Sequence, residues 1–180
     1  VDGHFKNYST ANGWPSNTIT SIEDAPDGTM WFGTPSGLIR YSGNKWSVFT
    51  SRDGLPSDNI TSLLTDSTGT LWIGTVSGLA VLRSGHITKP ESMPSSLREE
   101  ILGTAGDNIG NLWIATSNHI LSVKPARLLS ATLSDSDVRE YGLEDGLIGK
   151  QGVKRFRSVF ADAQGKIWFS TGRGLAVVDP

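Results

Sequence analysis

A tryptophan that returns at a fixed interval constrains this chain more than any other feature. Trp31 and Trp72 lie 41 residues apart, Trp72 and Trp113 again 41, and Trp113 and Trp168 55. Each closes the same short frame: Gly28-Thr29-Met30-Trp31, Gly69-Thr70-Leu71-Trp72, Gly110-Asn111-Leu112-Trp113 and Gly165-Lys166-Ile167-Trp168. A period of about 40–50 residues is that of a propeller blade, a unit that buries its apolar faces only against neighbouring copies. The frames carry apolar residues on both pleat faces, as in Met30-Trp31-Phe32, so each strand must be covered on both sides. Two residues beyond each tryptophan stands a small residue (Gly33, Gly74, Ala115, Ser170), which leaves room for bulk from the next sheet.

The fold class is therefore all-β: four blade repeats of four-stranded antiparallel sheets in one domain over 1–180. An inner strand begins at Ile19, Ile60, Ile101 and Phe156, ahead of the tryptophan strand. A third follows a second glycine (Gly37, Gly78, Gly174) at Leu38–Tyr41, Leu79–Leu82 and Leu175–Val178; the third copy carries His119 instead of that glycine. The fourth is expected at Phe5–Tyr8, Trp46–Phe49, around Ile87 and at Val138–Tyr141. The chain thus starts on a fourth strand and ends on a third. Lys124–Asp137 reads as an insertion with a short helix near Pro125–Leu129. Three closures satisfy this pattern: a four-bladed ring completed by the N-terminal strand, two chains combined, or an open arc of a larger propeller.

Composition mostly removes options. The formal charge is −2 and no cysteine is present. Net charge names no nucleic acid or anionic membrane as partner, and disulfides, thiolate metal sites and a cysteine nucleophile are excluded. No apolar run approaches the ~20 residues of a membrane span, and Val1-Asp2-Gly3-His4 does not start a signal peptide.

Gly54-Leu55-Pro56-Ser57-Asp58-Asn59-Ile60, followed by Asp66-Ser67-Thr68-Gly69-Thr70-Leu71-Trp72-Ile73-Gly74-Thr75, closely resembles the two-component regulator propeller repeat. Asn12-Gly13-Trp14-Pro15-Ser16-Asn17 and Glu144-Asp145-Gly146-Leu147 echo it in the first and last copies. The resemblance implies a periplasmic or extracytoplasmic sensor region of a bacterial hybrid histidine kinase. It also implies a seven-bladed propeller of which these are the C-terminal blades, with the kinase outside this chain.

Chemistry has few candidates. Asp66, Asp107 and Asp162, with Asp27 near the first turn, read as turn formers rather than calcium ligands, because an isolated carboxylate is a poor cage for an ion wanting about 6–8 oxygens. Thr34, Thr75, Thr116 and Thr171 recur too regularly to be nucleophiles and read as hydroxyls tying turns. His4, His86 and His119 form no metal or triad spacing, so no metal and no cofactor is expected, and no catalytic residue is assigned. A pairing of His119 with Glu99 or Glu144 would raise the case for a propeller lyase or hydrolase.

Binding belongs instead to the loops on one propeller face. The candidate ligand-binding residues are Trp14, Asn17, Asp58, Asn59, Arg98, His119, Lys150, Lys154, Arg155 and Arg173. Lys150, Lys154, Arg155 and Arg157 could hold a carboxylate or sulfate, and Trp14 could stack on a sugar or pack into its own loop. The expected partners are an extracellular small molecule or oligosaccharide, and other blades or a second chain at the propeller edges. A structural or dimerisation module without a ligand is the alternative.

Overall fold

The computed structural model describes residues 3–90, 93–130, 133–153 and 158–180. Three four-stranded antiparallel sheets and one of three strands follow one another along the chain. The first holds β1 (Ser21–Asp24), β2 (Met30–Thr34), β3 (Gly37–Ser42) and β4 (Lys45–Phe49); the second β5 (Ile60–Thr65), β6 (Leu71–Thr75), β7 (Gly78–Arg83) and β8 (His86–Thr88). The third holds β9 (Ile101–Gly106), β10 (Leu112–Thr116), β11 (Ile120–Val123) and β12 (Val138–Tyr141). The fourth has β13 (Val159–Ala161), β14 (Ile167–Thr171) and β15 (Gly174–Val178). Each strand pairs with its neighbour in sequence, so every sheet is a meander. The helix α1 (Pro125–Leu128) sits in the insertion between β11 and β12, as its Pro at the first helical turn predicts.

The core lies between blades. Trp31, Leu38 and Leu55 meet Ile60, Leu71, Ile73 and Leu82 in the first interface. In the second, Trp72, Leu79 and Val81 meet Ile101, Leu112, Ile114 and Leu121. In the third, Trp113, Ala115 and Ile120 meet Val159, Ile167 and Phe169. The glycine two residues beyond the tryptophan serves this packing. A Cβ on Gly33 would lie 2.8 Å from Ile60 Cγ2, and one on Gly74 2.8 Å from Ile101 Cγ2. The small residue of one blade thus receives the leading isoleucine of the next. Threonines stitch the inner rim: Thr20 Oγ1 donates to Ile60 O at 2.7 Å and Thr61 Oγ1 to Ile101 O.

The recurring aspartates do more than form turns. Asp66 Oδ1 accepts the Thr68 and Thr70 backbone N–H groups at 2.9 and 3.1 Å, while Oδ2 accepts the Trp72 indole N–H at 2.9 Å. Asp107 and Asp162 hold Trp113 and Trp168 in the same way, both at 2.7 Å. The first blade has Ala25 at this position, six residues before the tryptophan, and its Asp27 accepts the local Thr29 N–H instead. A fully buried indole N–H needs such an acceptor. Replacing Asp107 by alanine is expected to lower the unfolding free energy by about 1–3 kcal/mol, by orphaning the Trp113 N–H and opening the turn. Urea denaturation of the variant checks this.

The same bonds make stability depend on acid. Partial burial works to raise the Asp66 and Asp107 carboxyls, but the hydrogen bonds from turn amides and indoles outweigh it and hold both below the usual aspartate value of 3.8. The folded state therefore binds fewer protons than the unfolded chain near that pH. The contribution is complete above about pH 5 and is lost as pH falls through 3.8 toward the folded values. Denaturation midpoints are expected to drop between pH 5 and pH 3, and to drop less in a variant with Asp66→Asn and Asp107→Asn.

Two expectations need correction. Phe5–Tyr8 form no strand, and among the described residues the fourth blade has three strands, none of them paired with this segment. The first inner strand starts at Ser21 rather than Ile19. Phe156, the expected start of the last inner strand, lies outside the described residues.

Candidate ligand-binding face

The turn joining the second and third strands of a blade lies beside the loop that precedes the same blade's first strand. Val76 N donates to Asn59 O at 3.2 Å, Ser117 N to Glu100 O at 3.1 Å and Gly172 N to Gln151 O at 2.9 Å. The first blade has Pro35 at this position, which has no N–H to donate. In the first, second and fourth blades the threonine ending the tryptophan strand donates its hydroxyl to the second glycine: Thr34 to Gly37 O at 2.7 Å, Thr75 to Gly78 O at 2.8 Å and Thr171 to Gly174 O at 3.0 Å. Those glycines have φ of 139°, 117° and 123°, a region that disfavours side chains.

The third blade breaks the pattern. His119 replaces the glycine, and β11 starts one residue later than its counterparts. Thr116 Oγ1 now donates to Glu99 at 3.0 Å, Asn118 Nδ2 donates to the same oxygen at 3.2 Å, and His119 Nδ1 lies 3.2 Å from it. His119 Nε2 faces Glu140 at 4.0 Å, and Glu140 accepts a hydrogen bond from Lys150 Nζ at 2.7 Å. Desolvation works to raise the Glu99 carboxyl, but the bonds from Thr116 and Asn118, and His119 beside it, hold it below the ordinary glutamate range. Glu99 is thus a fixed anion at neutral pH that accepts from His119 Nδ1–H. Next to this cluster, Asn118, Gly149, Lys150, Gln151, Gly172 and Arg173 line a cleft of about 420 Å³ between the third and fourth blades.

The remaining candidates serve their own loops. The Trp14 ring stacks on Tyr8 at 5.6 Å and meets Trp46 edge-on and Phe32 at a tilt, which packs it on the first blade. Asn17 Oδ1 accepts Thr10 N–H at 2.8 Å, and Asp58 Oδ1 accepts Ser51 N–H at 2.6 Å, so both tie down equivalent one-turn helices. Asn59 contributes its backbone carbonyl to the bridge above. Arg98 Nε donates to Met93 O at 3.1 Å. Lys150 is paired with Glu140, and that bond raises its pKa. Lys154 and Arg155 lie outside the described residues, as does Arg157. His119, Lys150 and Arg173 are brought together; Trp14, Asn17 and Asp58 are held by other contacts in the first two blades. Glu140 was missed in the sequence, and its alternation with Tyr141 on β12 is the one signal that could have placed it.

A separate cavity of about 560 Å³ lies along the inner strands of all four blades, from Thr20 and Glu23 through Ser62 and Thr104 to Val159. No helix among the described residues is long and apolar enough to cross a membrane.

Four-blade packing of this kind, with regular interfaces and an irregular loop face, defines a β-propeller segment. Residues 13–36 and 54–77 match the two component regulator propeller model. Among solved structures, it is similar to the extracellular domain of BT3049 from B. thetaiotaomicron, described as a hybrid two component system, at 21% identity and a TM-score of 0.77 over 98% of this chain. The extracellular domain of BT4673 from the same organism, likewise described, matches at 20% identity and a TM-score of 0.72 over 91%. Virginiamycin B lyase from Staphylococcus aureus matches at 17% identity and a TM-score of 0.57, over 90% of this chain and 55% of the lyase. The chain spans 24% of the length of each of the two B. thetaiotaomicron domains. No curated protein sequence matches it.

Proposed function

We propose that this chain is a segment of the extracytoplasmic sensor propeller of a two-component system, and that it recognises an extracellular oligosaccharide without turning it over. The two matched repeats carry the reading, because the resemblance lies in loop and turn residues as well as in the core. The cleft beside His119 supports the ligand class. Asn118 and Gln151 amides suit sugar hydroxyls, and the Arg173 guanidinium suits a hydroxyl pair or a carboxylate. The signal would pass to a kinase domain elsewhere in the protein. A thermal-shift screen of oligosaccharides is expected to find at least one that raises the melting temperature. A screen of varied acidic and neutral oligosaccharides that leaves it unmoved at millimolar concentration contradicts the ligand.

One observation favours a second reading. His119 and Glu99 stand at hydrogen-bond distance, as the base and its orienting carboxylate do in acid–base catalysis. If a bound oligosaccharide yields new reducing or unsaturated ends, and His119→Gln abolishes this without changing affinity, the face is catalytic. A sensor shows no such products.

A further inference from the structure

The first blade keeps the donors of a carboxylate site but has no aspartate to fill it, and we propose that the carboxylate of a small organic acid takes that place. The acid accepts the Trp31 indole N–H and pairs with Arg40, and its apolar body lies in the cleft between the first two blades. Three observations carry this, and none depends on the loop face or its oligosaccharide.

First, the place is preformed. Ala25 and Asp66 occupy the same turn: Gly28 N donates to Ala25 O and Gly69 N to Asp66 O, both at 2.9 Å, and Ala25 N and Asp66 N donate to Thr29 O and Thr70 O at 2.9 and 3.0 Å. From this position Asp66, Asp107 and Asp162 each accept an indole N–H. Ala25 stops at Cβ, so the indole N–H of Trp31, a residue only 6% exposed, has no acceptor among the described residues. The Thr29 hydroxyl is likewise without a hydrogen-bond partner, on a residue 2% exposed. Buried donors left in this way favour a ligand that supplies the acceptor.

Second, the charge differs in this blade alone. Val81 pairs with Trp72 across the sheet, Ser122 with Trp113 and Val177 with Trp168, but Arg40 pairs with Trp31. The blade that loses the aspartate is the blade that gains a cation. The Arg40 guanidinium stands 5.9 Å from the centre of the Trp31 ring and forms no ion pair among the described residues. Asp27, at the exposed tip of the same turn, accepts the Thr29 backbone N–H at 2.9 Å and makes no bond to the indole.

Third, there is room for a ligand. A cavity of about 430 Å³ opens beside these groups, lined by Thr29, Trp31 and Arg40 and by the apolar Phe49, Leu71 and Leu82. It lies between two complete four-stranded sheets, so neither wall is an end of the arc. Its rim includes the β1–β2 and β7–β8 turns, at the opposite ends of the strands from the loop face. Donors at one end and apolar walls beyond them suit a carboxylate with an aliphatic or aromatic body, and a guanidinium prefers that charged group to an amide.

Benzoate is the probe, and benzamide its uncharged match. The six tryptophans give six indole signals in a proton–nitrogen correlation spectrum, and the one lost in Trp31→Phe belongs to Trp31. Benzoate at millimolar concentration is expected to shift the Trp31 signal saturably and to leave the other five in place, while benzamide moves none. Arg40→Val, which installs the residue of the second and fourth blades, is expected to weaken benzoate about tenfold by removing a charge-assisted bond. Ala25→Asp supplies the chain's own carboxylate and is expected to abolish the shift. Arg40 is exposed, so its variant decides should Ala25→Asp fail to fold. A Trp31 signal that benzoate leaves unmoved, an equal shift with benzamide, or a benzoate shift undiminished in either variant overturns the proposal.

Discussion

Replacing Trp72 with alanine is expected to cost about 3–5 kcal/mol of unfolding free energy, enough to leave much of the population unfolded at ambient temperature. Trp72 is 0% exposed and sits in the middle of three interfaces, between Leu79 and Val81 of its own blade and Ile101, Leu112 and Ile114 of the next. Removing the indole opens a cavity that two regular sheets cannot close by collapsing, because each is fixed by strand pairing on both sides. It also leaves Asp66 without one of its donors. The equivalent change at Trp168 removes less, since that ring is only half-buried. Urea denaturation of the two variants side by side should show the larger loss at Trp72; equal losses would contradict the assignment of the core to the interfaces.

A second large effect is expected from the opposite operation. Gly74→Val pushes a branched side chain into the space held by Ser62 Oγ and Ile101 Cγ2. Neither neighbour is the free end of a long side chain: Ile101 is fully buried and begins β9. Overpacking of this kind costs about 3 kcal/mol and drives the second and third blades apart. Gly106→Ala is the matched control, because a Cβ there meets nothing within 4 Å. It should change stability by less than about 0.5 kcal/mol. If both glycines tolerate substitution equally, the interlock between small residue and leading isoleucine is not what spaces the blades.

The fold was legible because its determinants are local and repeat. Tryptophan, flanking glycines and the small residue beyond them mark each interface, and Gly33 and Gly74 meet Ile60 and Ile101 as the pattern requires. The bonds from Trp72, Trp113 and Trp168 to aspartates were visible as a constant spacing of six residues, which Ala25 breaks, but turn chemistry alone explained those aspartates and hid their second role. The N-terminal strand failed for a different reason. A strand exists only with a partner, and nothing in the sequence of residues 5–8 says which edge supplies one.

The loop face was only half legible. His119 stood out by interrupting a glycine position, yet its partner Glu99 is 20 residues away in a loop with no pattern of its own. Lys150 looked like an available cation, but Glu140 on the neighbouring strand neutralises it. Trp14 looked like a stacking platform, but Tyr8 and Trp46 enclose it. Each depends on a contact between segments that periodicity does not relate. Arg173 is the cation of the cleft for which position and geometry agree.

Arg173→Ala therefore provides the most direct test of where recognition resides. The substitution should leave the melting temperature of the free protein within about a degree, because the side chain is exposed and surface changes of this kind cost little. With an oligosaccharide that stabilises the wild type, the variant is expected to show no rise in melting temperature at the same concentration. An equal rise in both proteins would show that the ligand binds away from this cleft, and the account of the loop face would fail.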